Sequence, residues 1–239
     1  MVRRVCRRSQ QRLCAGAWSQ RHYPFASQHK IPGSINLGPT DDAHGRVFVT
    51  SSGEGCHLYT LDRKTGEILW CSKEVNRYAV ASSALLNADG KIFVGDNQAM
   101  RAFDGSGRLP WERPIEGFPF SAQFTHTGRL IFIACIGRVY VLDRRTGKSV
   151  LPFMELAPGR KYRPAMDDRA CMRGSQDCPY ANTLAYDAKA GRFFLTFWHP
   201  KDTQASLWVA PPDVRLNRTL ASYFGGGAVH EKNGYGAVG

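Results

Sequence analysis

The chain has 239 residues, of which 43% are hydrophobic and 22% charged, a composition that excludes a wholly disordered protein and allows one or two globular domains. Its net charge of +12 is concentrated at the start, because residues 1–40 contain seven basic residues and no acidic one. This asymmetry argues against a nucleic-acid-binding protein, in which basic residues form a stripe on a folded face. No run of apolar residues reaches the roughly 18 that a membrane-spanning helix needs, so no transmembrane helix is predicted.

Residues 1–40 are predicted to be a basic, disordered leader that precedes a domain of residues 41–239. Its apolar segment, Leu13 to Trp18, is shorter than a secretory signal requires. Its arginines and its lack of acidic residues are typical of organellar transit peptides. A disordered tail, or residues added by a misplaced start codon, would have the same composition. A signal remnant, a transit peptide and a disordered tail therefore stay open as interpretations.

A repeated pattern of strands and turns follows the leader. Each unit opens at a glycine, continues through short segments rich in β-branched and aromatic residues, and reaches a turn that begins with an aspartate. These aspartates are Asp62, Asp104 and Asp143, which are 42 and 39 residues apart. Such segments without helical periodicity predict strands, and a period near 40 residues is typical of propeller blades.

The turns have a chemistry that explains their residues. In the first unit Asp62 precedes Thr65 and Gly66, so the aspartate can accept hydrogen bonds from nearby amides while the glycine adopts a positive φ. Bulky residues on both sides of each turn are expected to pack one sheet against the next, although Leu151 replaces the tryptophan in the third unit. The residues assigned to this structural role are Tyr59, Asp62, Gly66, Trp70, Asp104, Gly107, Trp111, Tyr140, Asp143 and Gly147.

The first unit, Leu58-Tyr59-x-Leu61-Asp62-x-x-Thr65-Gly66-x-x-x-Trp70, resembles the repeat of PQQ-like β-propellers, the quinoprotein alcohol dehydrogenase-like superfamily. Residues 98–111 and 137–151 are similar to it, and the resemblance is strong over about residues 45–153. It implies an all-β propeller of about four four-stranded blades plus a leading strand. The strands expected at 188–195 and 206–210 form a fourth unit that lacks the aspartate and Thr-Gly turn.

The resemblance also implies an incomplete ring, because propellers of this family usually have seven or eight blades. A fragment of a longer protein, a small propeller closed by a terminal strand, and a dimer that completes one ring all fit the count. The fragment is favoured, since closure normally removes an exposed sheet edge.

The third interval between opening glycines is some 20 residues longer than the others, which predicts an insertion at about residues 154–181. Long loops on a rigid scaffold commonly carry binding residues. The candidates are Arg160, Lys161, Tyr162 and Arg163, which would contact an anionic ligand or a protein partner. A solvated insertion without a ligand is the alternative.

The cysteines give a weaker prediction. Cys171 and Cys178 are close enough in sequence for a disulfide that would staple the insertion and favour an extracytoplasmic compartment, periplasmic or secreted. Two reduced thiols are the alternative. Cys56, Cys71 and Cys135 lie in apolar strand patterns and are predicted to be buried, inert thiols.

Two functions of different classes follow from the resemblance. A PQQ-dependent dehydrogenase of this family holds its quinone over a tryptophan and beneath a ring of two adjacent cysteines, with a calcium ion and an aspartate base. The sequence has no adjacent cysteines, and its repeat aspartates and tryptophans are explained by turns and packing. The favoured interpretation is therefore a non-enzymatic scaffold or binding module that presents loops to a protein partner or a small ligand. A fragment of a PQQ-dependent dehydrogenase is the alternative, and no catalytic, cofactor or metal residue is assigned.

Overall fold

The computed structural model describes residues 28–125, 127–155, 161–173, 180–187, 189, 192–198 and 206–210, and fifteen strands make up nearly half of them. The strands form four antiparallel sheets, which we number in chain order as blades 1 to 4. Blade 1 contains β1 (Thr40–Asp41), β2 (Arg46–Thr50), β3 (Leu58–Asp62) and β4 (Ile68–Ser72), and blade 2 contains β5 (Leu85–Leu86), β6 (Ile92–Gly95), β7 (Ala99–Phe103) and β8 (Trp111–Pro114). Blade 3 contains β9 (Pro119–Phe124), β10 (Arg129–Ala134), β11 (Arg138–Asp143) and β12 (Ser149–Glu155), and blade 4 contains β13 (Tyr180–Asp187), β14 (Arg192–Trp198) and β15 (Ser206–Ala210).

The predicted all-β propeller architecture is confirmed, with one change in where each unit begins. The strand after each opening glycine is the second strand of its sheet, so each blade starts one strand earlier than the repeat pattern indicated. Among the described residues the four blades do not close into a ring. A short 3₁₀ helix (Arg77–Ala81) connects blades 1 and 2, and the helix α1 (Met166–Met172) lies in the insertion between blades 3 and 4.

The chain order of the strands defines two faces of the molecule. Successive antiparallel strands alternate in direction, so successive connections lie at opposite ends of a sheet. The aspartate turns between the third and fourth strands all lie at one end, which we call the turn face. The opposite end, which we call the loop face, holds the β2–β3 and β6–β7 loops, the connections between blades, and therefore the insertion with α1.

Side-chain hydrogen bonds fix the aspartate turns. Asp62 Oδ1 accepts from the backbone N–H groups of Lys64 and Thr65, both at 2.8 Å, and Gly66 closes the turn at a φ of 75°. Asp143 accepts from the backbone N–H of Thr146 at 2.8 Å in the equivalent turn of blade 3. Each turn thus satisfies backbone donors that a tight hairpin would otherwise leave without partners.

Tryptophans connect each of the first two blades to the turn of the next blade. The Trp70 indole N–H donates to the carbonyl of Gly105 at 3.2 Å, and a Cβ placed on Gly107 would lie 2.9 Å from the indole ring. Trp111 repeats the arrangement, donating to the carbonyl of Arg144 at 3.1 Å and covering Gly147. The glycine of each turn is thus required twice, for its positive φ and for the close approach of the ring.

The contact between blades 3 and 4 differs. The strand register places Leu151 opposite Val141, as Trp70 lies opposite Thr60 in blade 1, so a leucine occupies the tryptophan position. The sequence of blade 4 likewise lacks the Thr-Gly turn that would receive a tryptophan. Blade 4 instead adds three buried side chains to the core shared with blades 2 and 3, namely Leu184, Phe193 and Leu195.

A disulfide joins Cys56 to Cys71, which corrects the prediction that both are buried free thiols. Cys56 lies in the β2–β3 loop, and the register pairs Cys71 with Tyr59, so the end of β4 runs beside that loop with the two Cα atoms 5.8 Å apart. Of the three cysteines that the sequence placed in apolar strand patterns, Cys71 alone lies in a strand, and the pattern contained no information on which chain segments meet. Cys135 is buried and forms no disulfide.

Candidate functional site

Arginines from two separate connections line one open cleft of about 470 Å³ on the loop face. We call it the arginine cleft. It contains parts of the segment before β1, the β2–β3 loop, the 3₁₀ helix and α1. Its lining consists of Ser34, Asn36, Ser52, Arg77, Tyr78, Val80, Ala165, Arg169 and Arg173.

Buried polar groups hold the 3₁₀ helix that carries Arg77. The side chain of Asn76 caps the helix by accepting from the backbone N–H of Tyr78 at 2.9 Å. The backbone N–H of Asn76 donates to the fully buried carboxylate of Asp96 at 2.9 Å, and Arg101 donates to the same carboxylate at 2.6 Å. This cap and the buried ion pair fix the start of the helix, and with it the position from which Arg77 extends.

A chain of hydrogen bonds attaches α1 to the blades. Asp168, which is only 1% exposed, accepts from the hydroxyl of Tyr162 and from the side-chain amide of Asn97, both at 2.7 Å. Asn97 in turn accepts from the side-chain amide of Asn76 at 2.8 Å. Burial, and then the hydrogen bond to Asp168, raise the pKa of the Tyr162 hydroxyl well above its usual value, so it remains a proton donor. The insertion helix is therefore seated on the loop face by buried polar contacts.

The start of α1 is held in an unusual backbone conformation. Ala165 has a φ of 62°, which is rare for a residue other than glycine, and it lines the arginine cleft. The buried carboxylate of Asp167 accepts from the backbone N–H of Arg163 at 2.7 Å and so closes the turn that leads into the helix. Both acidic side chains of α1 are therefore buried. Asp167 nevertheless lines an adjoining cleft with Arg163, Arg169 and Arg173, and its carboxylate lies 3.7 Å from the Arg163 guanidinium.

The segment before β1 forms another wall of the cleft. Ser34 and Ser52 exchange two hydrogen bonds, from the backbone N–H of Ser34 to the Ser52 hydroxyl and from the backbone N–H of Ser52 to the Ser34 carbonyl, both at 3.1 Å. Gly33 and Gly53 approach so closely that a Cβ on either one would overlap the other backbone. Residues 32–34 belong to the predicted leader, yet they pack against the β2–β3 loop.

The cleft has an unbalanced charge. Arg77, Arg169 and Arg173 are exposed, no carboxylate lines the cleft, and none of the three forms an ion pair within the described part of the chain. Arg169 and Arg173 are also four residues apart on one helical surface, where like charges cost about 0.2–0.5 kcal/mol. Arginines that are uncompensated and costly in this way commonly belong to a binding site.

The residues predicted from the sequence lie near this cleft, and only part of the set can be placed. Lys161 and Arg163 are exposed, Arg163 lines an adjoining cleft with Met166, and Tyr162 is half-buried against Asp168. Arg160 lies outside the described residues, so a role for the four as one group stays a prediction.

Sequence reasoning missed the three arginines of the cleft. Arg169 and Arg173 lie within the predicted insertion, and their spacing of four residues was the available signal. That signal depended on recognising a helix of only seven residues. Arg77 had no signal, because its proximity to α1 arises only when blades 1, 2 and 3 pack together.

The candidate disulfide of the insertion is placed in part. Cys171 is buried in α1 and is disulfide-bonded. Cys178 lies outside the described residues, so its pairing with Cys171 stays a prediction.

The residues present do not fit the quinone site that the superfamily resemblance implies. The chain has no adjacent cysteines, and the rings of Trp70 and Trp111 cover the turn glycines of the next blades. Within the described ranges no group of three histidine, cysteine, aspartate or glutamate side chains could hold a metal ion. Neither described helix is long and apolar enough to cross a membrane.

The family model of the outer membrane protein assembly factor BamB, a protein of PQQ-like repeats, matches residues 15–199. The chain belongs to this family. The match begins within the predicted leader and extends through β14. A search of the curated proteins finds no match.

Solved structures agree with the BamB family in fold. BamB from Moraxella catarrhalis superposes with a TM-score of 0.55 at 16% identity, covering 78% of this chain and 49% of that one. The C-terminal WD40 domain of Sif2 gives a TM-score of 0.53 at 16% identity, covering 78% and 48%. A quinohemoprotein alcohol dehydrogenase from Pseudomonas putida HK5 reaches 0.47 at 16% identity, covering 76% and 34%, and shows nothing about activity here. The chain thus spans about half the length of BamB and of the Sif2 domain in these solved structures.

Proposed function

We propose that this chain is a non-enzymatic scaffold that binds a protein partner through its loop face, as an assembly factor of the kind for which the BamB family is named. The observation that carries the proposal is the arginine cleft, where an insertion absent from the other blade connections is seated by the buried Asp168 contacts. An insertion that only extended into solvent would not need these buried hydrogen bonds to hold it in place. Loops held on a rigid scaffold are a common place for recognition.

Three disulfide-bonded cysteines in the described chain indicate the compartment in which this function takes place. Cys56 and Cys71 are bonded to each other, and Cys171 is also in a disulfide. Disulfides persist in oxidising compartments and are rare in the cytosol. We infer that the scaffold works outside the cytoplasm.

Site-specific photo-crosslinking in the cells that contain the protein tests the proposal. A crosslinking amino acid at Lys73 samples the loop face, and the same amino acid at Lys148 samples the turn face; both lysines are exposed. We expect a discrete crosslinked protein, identified by mass spectrometry, from position 73 and none from position 148. Equal crosslinking from both positions, or none from either, would contradict a loop-face scaffold.

A further inference from the structure

The arginine cleft brings together cations from two independent elements. Arg77 comes from the connection between blades 1 and 2, whereas Arg169 and Arg173 come from α1. Cations near the end of a helix interact favourably with its dipole, which offsets part of the like-charge cost of the pair on α1. That effect does not apply to Arg77, which begins the 3₁₀ helix and whose guanidinium carbon lies 5.4 Å from the centre of the Tyr78 ring, a contact that leaves its charge without a counter-charge. The convergence of the three therefore points to a ligand of opposite charge.

The size of the cleft indicates what kind of anion it fits. A volume of about 470 Å³ corresponds to on the order of fifteen water molecules of the liquid, so one phosphate or carboxylate group fills a small part of it. Each guanidinium can bind a carboxylate through two parallel hydrogen bonds. Three guanidinium groups along one open cleft thus match several carboxylates of a single extended segment.

The neutral residues around the arginines favour a protein ligand over a nucleic acid. Tyr78 and Val80 line the cleft, and Met166, which is 62% exposed, lies beside it on the other flank of α1. Tyrosine, methionine and arginine are enriched in protein interfaces. Binding to a nucleic-acid backbone needs a run of cations and gains nothing from an exposed methionine.

We propose that the arginine cleft binds a segment of the partner protein that is rich in aspartate and glutamate, with Arg77, Arg169 and Arg173 each pairing with a carboxylate. This inference rests on the proposed function and deepens it by naming the chemistry of the partner. The uncompensated charge of the cleft is neutralised when such a segment binds. Salt therefore weakens the complex, because exposed ion pairs are screened.

Fluorescence anisotropy of a dye-labelled hexaglutamate peptide, titrated with the full chain at low salt, tests the inference. The variant R169Q/R173Q removes two charges and keeps residues of similar helix propensity. The control R113Q/R145Q removes the same net charge from exposed arginines on β8 and on the turn face. We expect the cleft variant to bind at least about tenfold more weakly and the control less than twofold, since hydrogen bonds to charged groups are individually strong.

Three results would overturn the inference: no binding of hexaglutamate by the unmodified chain, equal weakening by both variants, or tighter and arginine-dependent binding of a thymidine oligonucleotide. A thermal melt of each variant checks that it is folded. Because the substituted arginines are exposed, we expect cooperative transitions close to that of the unmodified chain. Crosslinking from Lys73 in the R169Q/R173Q background separates this inference from the proposed function. Persistent crosslinking in that background would support the proposed scaffold function. It would contradict the inference that the partner binds these arginines through an acidic segment.

Discussion

At the scale of single residues, the structure explains why glycine stands at the end of each aspartate turn. Gly147 has a φ of 70°, and a Cβ there would lie 2.5 Å from the ring of Trp111. Gly45 has a φ of 80° in the β1–β2 turn and has open space around it. Comparing the two glycines therefore separates the cost of a positive φ from the cost of placing a Cβ against an indole ring.

We therefore expect Gly147→Ala to be more destabilising than Gly45→Ala. Both substitutions incur the cost of a positive φ, about 1–2 kcal/mol. Gly147→Ala must also displace an indole ring, and such overpacking adds about 1–3 kcal/mol. Urea unfolding at equilibrium measures the difference. Equal losses in the two variants would mean that Trp111 moves aside at no cost.

The aspartate turns also predict a dependence on pH. Hydrogen bonds, first from the Ser106 hydroxyl and then from Arg108, lower the pKa of Asp104 to about 2. Because the folded pKa lies below the unfolded value, the carboxylate contributes stability above about pH 4, which is lost as the pH falls towards 2. The stability difference between the wild type and Asp104→Asn should accordingly shrink over that interval. Urea midpoints measured from pH 7 to pH 2 check this, and a constant difference would contradict it.

At the scale of elements, local chemistry was predictable from the sequence and contacts distant in the chain were not. The turn at Asp62 is complete within five residues, so its pattern could be recognised directly. The position of α1 depends on the hydrogen bond from Asn97 to Asp168, two residues 71 positions apart. No periodicity or spacing encodes such a meeting, which is why the binding loop was expected but the arginine cleft was not.

The Cys56–Cys71 disulfide is another distant contact, and its contribution can be measured. It closes a loop with a sequence separation of 15 between the β2–β3 loop and β4. A bridge across a loop of that length is expected to stabilise the folded state by about 3 kcal/mol, chiefly by restricting the unfolded chain. Replacing both cysteines by alanine should lower the free energy of unfolding by about that amount. Cys135→Ala serves as a control for the loss of a thiol that forms no bridge.

At the scale of the whole molecule, the blades are not equally connected. The first two interfaces contain a tryptophan that donates to the neighbouring turn and covers its glycine, through Trp70 and Trp111. The third interface has Leu151 in that position, and the sequence that follows β15 contains no Thr-Gly pair. Both halves of the contact are thus missing at the same interface, and apolar packing holds blade 4 in their place.

Blade 4 should therefore open at a lower free energy than the blades before it. In native-state hydrogen exchange, the amides of β14 are expected to exchange through a smaller opening than those of β10, because stability follows the local packing and hydrogen bonding. The amides of β6 are the control, since their blade has a tryptophan contact on each side and that of β10 has one on its blade 2 side, so both should open at a higher free energy than β14. Equal opening free energies in β6, β10 and β14 would show that the apolar core alone couples the blades. A difference confined to β14 would identify the tryptophan contact as the element that makes neighbouring blades unfold together.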